Sequence, residues 1–218
     1  MISEKAVILL SGGQDSTTCL AWALENFQEI HALFIDYGQR HAIELESAKK
    51  IAEITDVPLT VHKTDMFSEL TKNALTDHEA EIIANEGELP TTFVPGRNMI
   101  FLSIASIFAQ QKSIQHIVAG VCQTDYSGYP DCRQEFIDSM AKTASLAMEE
   151  NFKIHTPLMH LTKAQTVEMM QELGKLDLLK ESHTCYKGKR PACGTCPACQ
   201  LRLKGFEEAG IKDPLTYE

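Results

Sequence analysis

Seven consecutive residues near the start of the chain, Ser11-Gly12-Gly13-Gln14-Asp15-Ser16-Thr17, are of types that can grip a phosphate. Two adjacent glycines let the main chain enter positive φ and come close to a ligand. A helix opening behind them presents unpaired N–H groups and the positive end of its dipole to an anion. The hydroxyls of Ser11, Ser16 and Thr17 add donors. Asp15 is the odd member, because a carboxylate beside phosphates is repelled unless a divalent cation lies between. It predicts a Mg²⁺ ion shared by Asp15 and phosphate oxygens. A plain Gly-Gly turn with Asp15-Ser16 capping a helix is the alternative. The sequence lacks G-x-x-x-x-G-K-[ST] and G-x-G-x-x-G, which argues against a kinase-type P-loop and a dehydrogenase.

A second group with chemistry is Cys185, Cys193, Cys196 and Cys199, spaced C-x7-C-x2-C-x2-C. Two residues between cysteines let both sulfurs reach one ion from a single turn, and four thiolates complete a tetrahedral Zn²⁺ shell. Residues 182–200 are therefore read as a zinc-binding loop. Lys187, Lys189 and Arg190 inside it can offset the negative charge of the centre or help hold phosphate. An Fe–S cluster or redox thiols are the alternatives, although a closed four-ligand set leaves no sulfur free for attack. Cys19 falls on an apolar helix face and reads as core. Cys122 and Cys132 flank a loop and have a weaker claim to metal or redox chemistry.

These groups need elements to hold them. The run from Lys5 to Leu10 predicts a strand, and the apolar spacing of Cys19, Leu20, Ala23, Leu24 and Phe27 predicts a helix from Ser16. Strands at Ile30–Ile35 and Pro58–Val61 flank a helix over Ala42–Ile54, giving two successive βαβ units and hence a parallel sheet with right-handed crossovers. Thr71–Pro95 is acidic and aperiodic, and reads as a surface excursion able to act as a lid. A helix is expected from Arg97 to Gln111, a buried strand over Ile114–Val121, and a helix opened by the capping box of Thr162 and Gln165 and ended near Gly174. From Ser182 onward the chain reads as loop. The fold class is α/β, a doubly wound, mainly parallel Rossmann-like sheet with a C-terminal zinc-binding segment, in a single domain over 1–218.

The bulk numbers agree. At 218 residues, with 44% hydrophobic and 23% charged side chains, the chain is an ordinary globular length and composition. Thirty acidic against 20 basic residues, a net charge of −10, weigh against covering a long nucleic acid, so no nucleic-acid partner is expected. No run approaches a membrane span and no signal-peptide core is visible, so no membrane partner is expected and the chain is placed in the cytoplasm. In that reducing compartment the seven cysteines are not read as disulfides.

Ser-Gly-Gly-x-Asp-Ser after a first strand resembles the signature of the PP-loop ATP pyrophosphatases. The resemblance implies an adenine nucleotide α-hydrolase-like fold, cleavage of ATP between its α and β phosphates, and activation of the substrate as an adenylate. Ser11, Gly12, Gly13, Gln14, Asp15, Ser16 and Thr17 then hold the phosphates and magnesium. Asp36 and Tyr37, at the end of the second strand, lie where such folds accommodate adenine and ribose.

A wider set is more specific: Asp36-Tyr37-Gly38-Gln39-Arg40-His41, Phe93-Val94-Pro95-Gly96-Arg97-Asn98, Gly120-Val121 through Asp125-Tyr126-Ser127-Gly128-Tyr129-Pro130-Asp131-Cys132-Arg133, Thr156-Pro157-Leu158 with Lys163, and the four cysteines. Together they resemble the 7-cyano-7-deazaguanine synthase family over nearly the whole chain. That implies conversion of 7-carboxy-7-deazaguanine and ammonia to 7-cyano-7-deazaguanine, a queuosine precursor, at the expense of ATP, by a homodimer. Arg97 and Lys163 become candidates to neutralise charge on the leaving pyrophosphate. A surface charge near a helix start is the other reading of Arg97, and Lys163 stands beside the cap Thr162. The loop after the strand ending at Val121 offers Gln123, Asp125, Tyr126, Tyr129 and Asp131 for the deazapurine, a tyrosine to stack and a carboxylate for its 2-amino edge. His41 and His62 are given no role. A PP-loop enzyme that thiolates tRNA and a zinc-ribbon binding module are the rival readings.

Overall fold

The computed structural model describes residues 2–39, 43–71, 73, 91, 93–124 and 129–218. Five strands form one sheet: β1 (Ile2–Leu9), β2 (Phe27–Asp36), β3 (Leu59–Lys63), β4 (His116–Val118) and β5 (Lys153–His155). All neighbours run parallel, in the order β3-β2-β1-β4-β5. The chain winds outward from β1 to β3, then returns to build β4 and β5 on the other side of β1. The order therefore reverses between β1 and β4, and a crevice opens there above the strand ends.

Alternate residues of the strands feed two apolar layers, as the period of a parallel sheet covered on both faces requires. Ala6, Ile8, Ala32 and Phe34 pack against α1 (Gln14–Asn26) and α2 (Ile43–Ile54) through Leu20, Ala23, Ala48 and Ile51. Val7, Leu33, Ile35 and Ile117 pack on the opposite face. There they meet Leu102 and Ala105 of α4 (Arg97–Gln111), and Ile137 and Met140 of α5 (Gln134–Met148). Each Ile, Leu or Phe buried in this way contributes about 1.5–3 kcal/mol. A short helix, α3 (Met66–Leu70), follows β3 and adds Phe67 to the second layer.

The doubly wound parallel sheet read from the sequence is the one observed. Thr162 caps α6 (Lys163–Glu172) through the expected capping box: its hydroxyl accepts from Gln165 N at 3.2 Å, and Gln165 Oε1 accepts from Thr162 N at 2.9 Å. Besides α3, three further elements were not placed by the sequence. β5 is an edge strand of three residues, too short to show a period, and α5 precedes it. α7 (Pro197–Glu208) begins inside the cysteine cluster, with Cys196 as N-cap and Pro197 at its first position, so the region from Ser182 is less loop-like than its composition suggests. α7 lies against α6, and α6 against α1, where Ala21, Val167, Met170, Leu179 and Phe206 form a smaller apolar cluster. Most of the Thr71–Pro95 excursion lies outside the described residues. No helix among the described residues is long and apolar enough to cross a membrane.

Candidate active site

A cavity of about 410 Å³ occupies the crevice at the β1–β4 reversal. Its floor is the start of α1. Gly13 is the N-cap, and no side chain caps the helix, so the N–H groups of the first turn face the cavity uncapped. Ser11 Oγ lies 3.1 Å from Ser16 Oγ, and Ser16 Oγ also donates to Gly13 O at 3.1 Å. Gln14 is buried, lines the cavity, and its Nε2 is the buried side-chain donor without a partner among the described residues. An orphaned donor of this kind fits a ligand carrying acceptor oxygens.

The two glycines differ. Gly12 has φ +81°, and a Cβ on it would stand 2.5 Å from the Glu44 carbonyl oxygen, so glycine is required for the loop to lie against α2. At Gly13 a Cβ would meet only ordinary contacts, 3.5 Å or more away. Thr17 is fully buried and donates to Gly13 O at 2.7 Å. Gly12 and Thr17 thus shape the loop, while Ser11, Gly13, Gln14, Asp15 and Ser16 line the cavity.

Above the loop, Lys163 Nζ reaches both oxygens of Asp15, at 2.7 and 2.6 Å. The first residue of α6 is thereby placed over the first turn of α1. Gly205 of α7 makes this possible, because a Cβ there would be 2.8 Å from Lys163 Cβ. Gly120, after β4, presses on the same turn, its Cβ position 3.1 Å from Ser16 N.

The wall opposite is aromatic and basic. Arg97, the first residue of α4, is hydrogen-bonded to Tyr37 and holds its guanidinium 6.0 Å from the centre of the Tyr129 ring. Tyr129 also leans on Phe93, ring centres 5.3 Å apart. Burial pushes the hydroxyl of Tyr37 above its ordinary value, so it stays neutral. Tyr37 lines the cavity. Asp36 turns aside, accepting from Gly38 N at 3.3 Å and facing Lys63 at 3.7 Å.

The loop after β4 divides in the same way. Tyr129 lines the cavity. Asp131 is buried and accepts from Asn98 N at 2.9 Å, serving as the cap that α4 lacks locally and so fixing Arg97 next to it. Gln123 Oε1 accepts from Gln134 N at 3.1 Å at the start of α5. Asp125 and Tyr126 lie outside the described residues.

The cysteines close one side. The sulfurs of Cys185, Cys193, Cys196 and Cys199 lie within 4.8 Å of one another, all buried. Cys193 Sγ accepts from the N–H groups of Thr195 and Cys196 at 3.4 and 3.3 Å. Burial alone would raise the Cys193 thiol, yet hydrogen bonds led by that of Thr195 outweigh it and bring it down to about 6. Burial and then Cys196 drive Cys199 the other way. Four such sulfurs cannot all be thiolates without a cation among them, and a metal ion suits the set. Cys185, Tyr186 and Ala198 line the cavity, so the cluster is part of its wall. Cys122 and Cys132 line it as well, whereas Cys19 is core.

Gln39, Glu44, Asn98, His183 and Tyr186 belong to the site although residue chemistry in sequence did not single them out. Gln39 and Asn98 sat inside strings already noted. Glu44 reads in sequence as an ordinary acid in a helix's first turn.

A model of the family described as "Queuosine biosynthesis protein QueC" matches residues 5–210. The chain belongs to this family. It is 53% identical to the 7-cyano-7-deazaguanine synthase of Bacillus subtilis, covering 95% of this chain and 96% of that protein. It is 51% identical to that of Chromobacterium violaceum, over 98% and 93%. Among solved structures it resembles the NMN synthetase of Francisella tularensis with a TM-score of 0.53 and 16% identity, over 97% of this chain and 74% of that one. A 4-thiouridine synthetase in complex with RNA and ATP gives a TM-score of 0.52 and 18% identity, over 95% and 50%. At those identities the structures establish the shared fold, while the family rests on the sequence matches.

Proposed function

We propose that this member of the family is itself a 7-cyano-7-deazaguanine synthase, an ATP-dependent ligase that makes the nitrile from 7-carboxy-7-deazaguanine and ammonia. The observation that carries the reading is one cavity shared by an uncapped helix start, the Asp15–Lys163 pair and an arginine–tyrosine wall, in a chain half identical to such synthases over nearly its full length.

The chemistry suits those groups. A carboxylate oxygen is a poor leaving group, so the acid is first joined to AMP with loss of pyrophosphate. Ammonia then displaces AMP to give the amide. The amide oxygen is adenylated in turn and leaves with its AMP as two N–H protons are lost, giving the nitrile. Ser11, Gln14, Ser16 and the α1 N–H groups hold phosphate oxygens, and Lys163 and Arg97 balance the charge that develops there. Tyr129 stacks on the deazapurine, while Tyr37 borders the nucleotide. Asp131 acts through the start of α4. Each Asp15 oxygen accepts one bond from Lys163 and keeps lone pairs, so Asp15 can also hold Mg²⁺, which supplies charge neutralisation at the phosphates. The four cysteines hold Zn²⁺ as a structural ion. The cysteines, free of disulfides, fit a cytoplasmic protein, and the homodimer implied by the family resemblance is retained.

The test is direct: purified protein with MgATP, ammonia and 7-carboxy-7-deazaguanine yields the nitrile by mass spectrometry. No nitrile from folded, metal-loaded protein refutes the reading, and zinc without ATP turnover would point to a binding module. Sedimentation equilibrium should give twice the chain mass. Chelation of the metal should lower ATP affinity together with the near-ultraviolet signal of Tyr186, since the cluster walls the cavity.

A further inference from the structure

Among the described residues two carboxylates line the cavity, and they are not equivalent. Asp15 has both oxygens engaged by Lys163. Glu44, in the first turn of α2, has no such ion pair among the described residues; Arg97 and the Gln39 side chain act on it. Gln39 is fixed in turn, because its Oε1 accepts Tyr37 N–H at 2.9 Å and leaves its amide nitrogen for Glu44. The Glu44 main chain is fixed against Gly12. A carboxylate of set position, beside the phosphate loop and open to the cavity, is built into the wall.

At neutral pH ammonia in water is almost wholly ammonium, which has no lone pair with which to attack. We propose that Glu44 draws ammonium into the cavity and takes its proton, so that the nucleophile is generated beside the activated carboxyl group. The inference rests on the synthase reading above. One N–H bond of ammonium breaks and its proton passes to the Glu44 carboxylate. The freed lone pair attacks the carbonyl carbon of the acyl adenylate, the C–O bond to phosphate breaks, and AMP departs with that electron pair. The nitrogen's second surplus proton goes to water, leaving the amide.

The surroundings suit the task. Burial pushes Glu44 up to about 7, against the opposing pull of Arg97 and Gln39. Tyr37 faces it from the end of β2, and among the described residues Asp15, Lys163 and Arg202 are the charged groups elsewhere in the lining. A base poised near the working pH transfers protons most effectively.

Hydroxylamine supplies the test, because it is already uncharged at neutral pH and traps acyl adenylates as hydroxamates. In the full-length enzyme, Glu44→Gln should lower ammonia-dependent amide formation about 10²–10⁴-fold while hydroxamate formation falls far less. In the wild type, ammonia-dependent kcat/KM should be lost as pH falls through about 7, beyond the loss of free ammonia, while the hydroxylamine rate keeps no such limb. Equal losses with both nucleophiles in Glu44→Gln, or identical wild-type pH profiles, would overturn the role of Glu44. The second measurement decides the matter even if the variant does not fold. Failure of the synthase reading is distinguishable, because wild-type enzyme would then form neither amide nor hydroxamate.

Discussion

At the scale of single residues, the contact between Asp15 and Lys163 bears most on chemistry, and neither residue's type alone predicts it. A carboxylate in a phosphate loop suggests a metal, and a lysine beside a helix cap suggests solvent; 148 positions apart in sequence, they meet at 2.6 Å. Their side chains are largely withdrawn from water, 28% and 13% exposed, so each is costly to leave alone. Lys163→Met should therefore leave an unpaired Asp15 facing phosphates, and turnover should fall by about 10²-fold or more, with the loss in kcat exceeding that in KM for ATP. Asp15→Ala should abolish turnover while the metal content stays near one per chain, since the cysteine cluster is built from other residues. A parallel loss of metal or of folded protein would make Asp15 structural.

At the scale of elements, the site is a meeting of helix starts. α1 offers its first turn, α4 begins with Arg97, α6 begins with Lys163, and α2 brings Glu44 against Gly12. The sequence shows why some of this was legible and some not. The strand, glycine turn and helix of residues 5–27 announce themselves through local period and turn chemistry, and so does the Thr162 capping box. Asp131 capping α4 from 33 positions away, and Gly205 admitting Lys163, depend on contacts that no local pattern encodes. Gly205 gives a sharp expectation. It sits inside α7, where alanine is intrinsically favoured by about 1 kcal/mol. Yet a Cβ there would lie 2.8 Å from Lys163 Cβ and 3.2 Å from its carbonyl carbon. Gly205→Ala should lose stability despite the better propensity, and should weaken ATP turnover by displacing α6. Unaltered kinetics with raised stability would show that α6 and α7 can separate without consequence.

At the scale of the whole molecule, two buried electrostatic centres, one behind the cavity wall at Arg202 and one away from the cavity, set how the fold responds to acid. Arg202, fully buried on α7, clamps Asp213 through two bonds of 2.9 and 2.8 Å and donates to Ser182 Oγ at 2.7 Å, tying the C-terminal end to the segment that carries His183. Burial alone would raise the carboxyl of Asp213, but Arg202 outweighs it and holds the group below its ordinary value. Its contribution is present above the unfolded value, about 4, and is lost as pH falls through the lower folded one. Beneath the sheet, His116 Nδ1 lies 2.8 Å from His155 Nε2 and bonds Glu4 through its other nitrogen. Burial first, and His116 next, bring His155 down to about 4. The unfolded chain therefore binds a proton there from about pH 6.5 while the fold refuses it, so stability falls across that window too. Glu44, pushed up to about 7, takes its proton earlier in the fold than in the unfolded chain and so adds stability across part of the same window. In a Glu44→Gln background urea unfolding should show the His155 decline between pH 6.5 and 4, of about 1–2 kcal/mol for a half-exposed ring, and a steeper one below pH 4. His155→Asn should remove the first decline alone. Asp213→Asn should cost about 3–5 kcal/mol at pH 7 by stranding a buried guanidinium, and should flatten only the second. If both variants kept the wild-type pH profile, acid sensitivity would have to arise elsewhere, with the cysteine cluster, where Cys193 is held below its ordinary value, the next group to test.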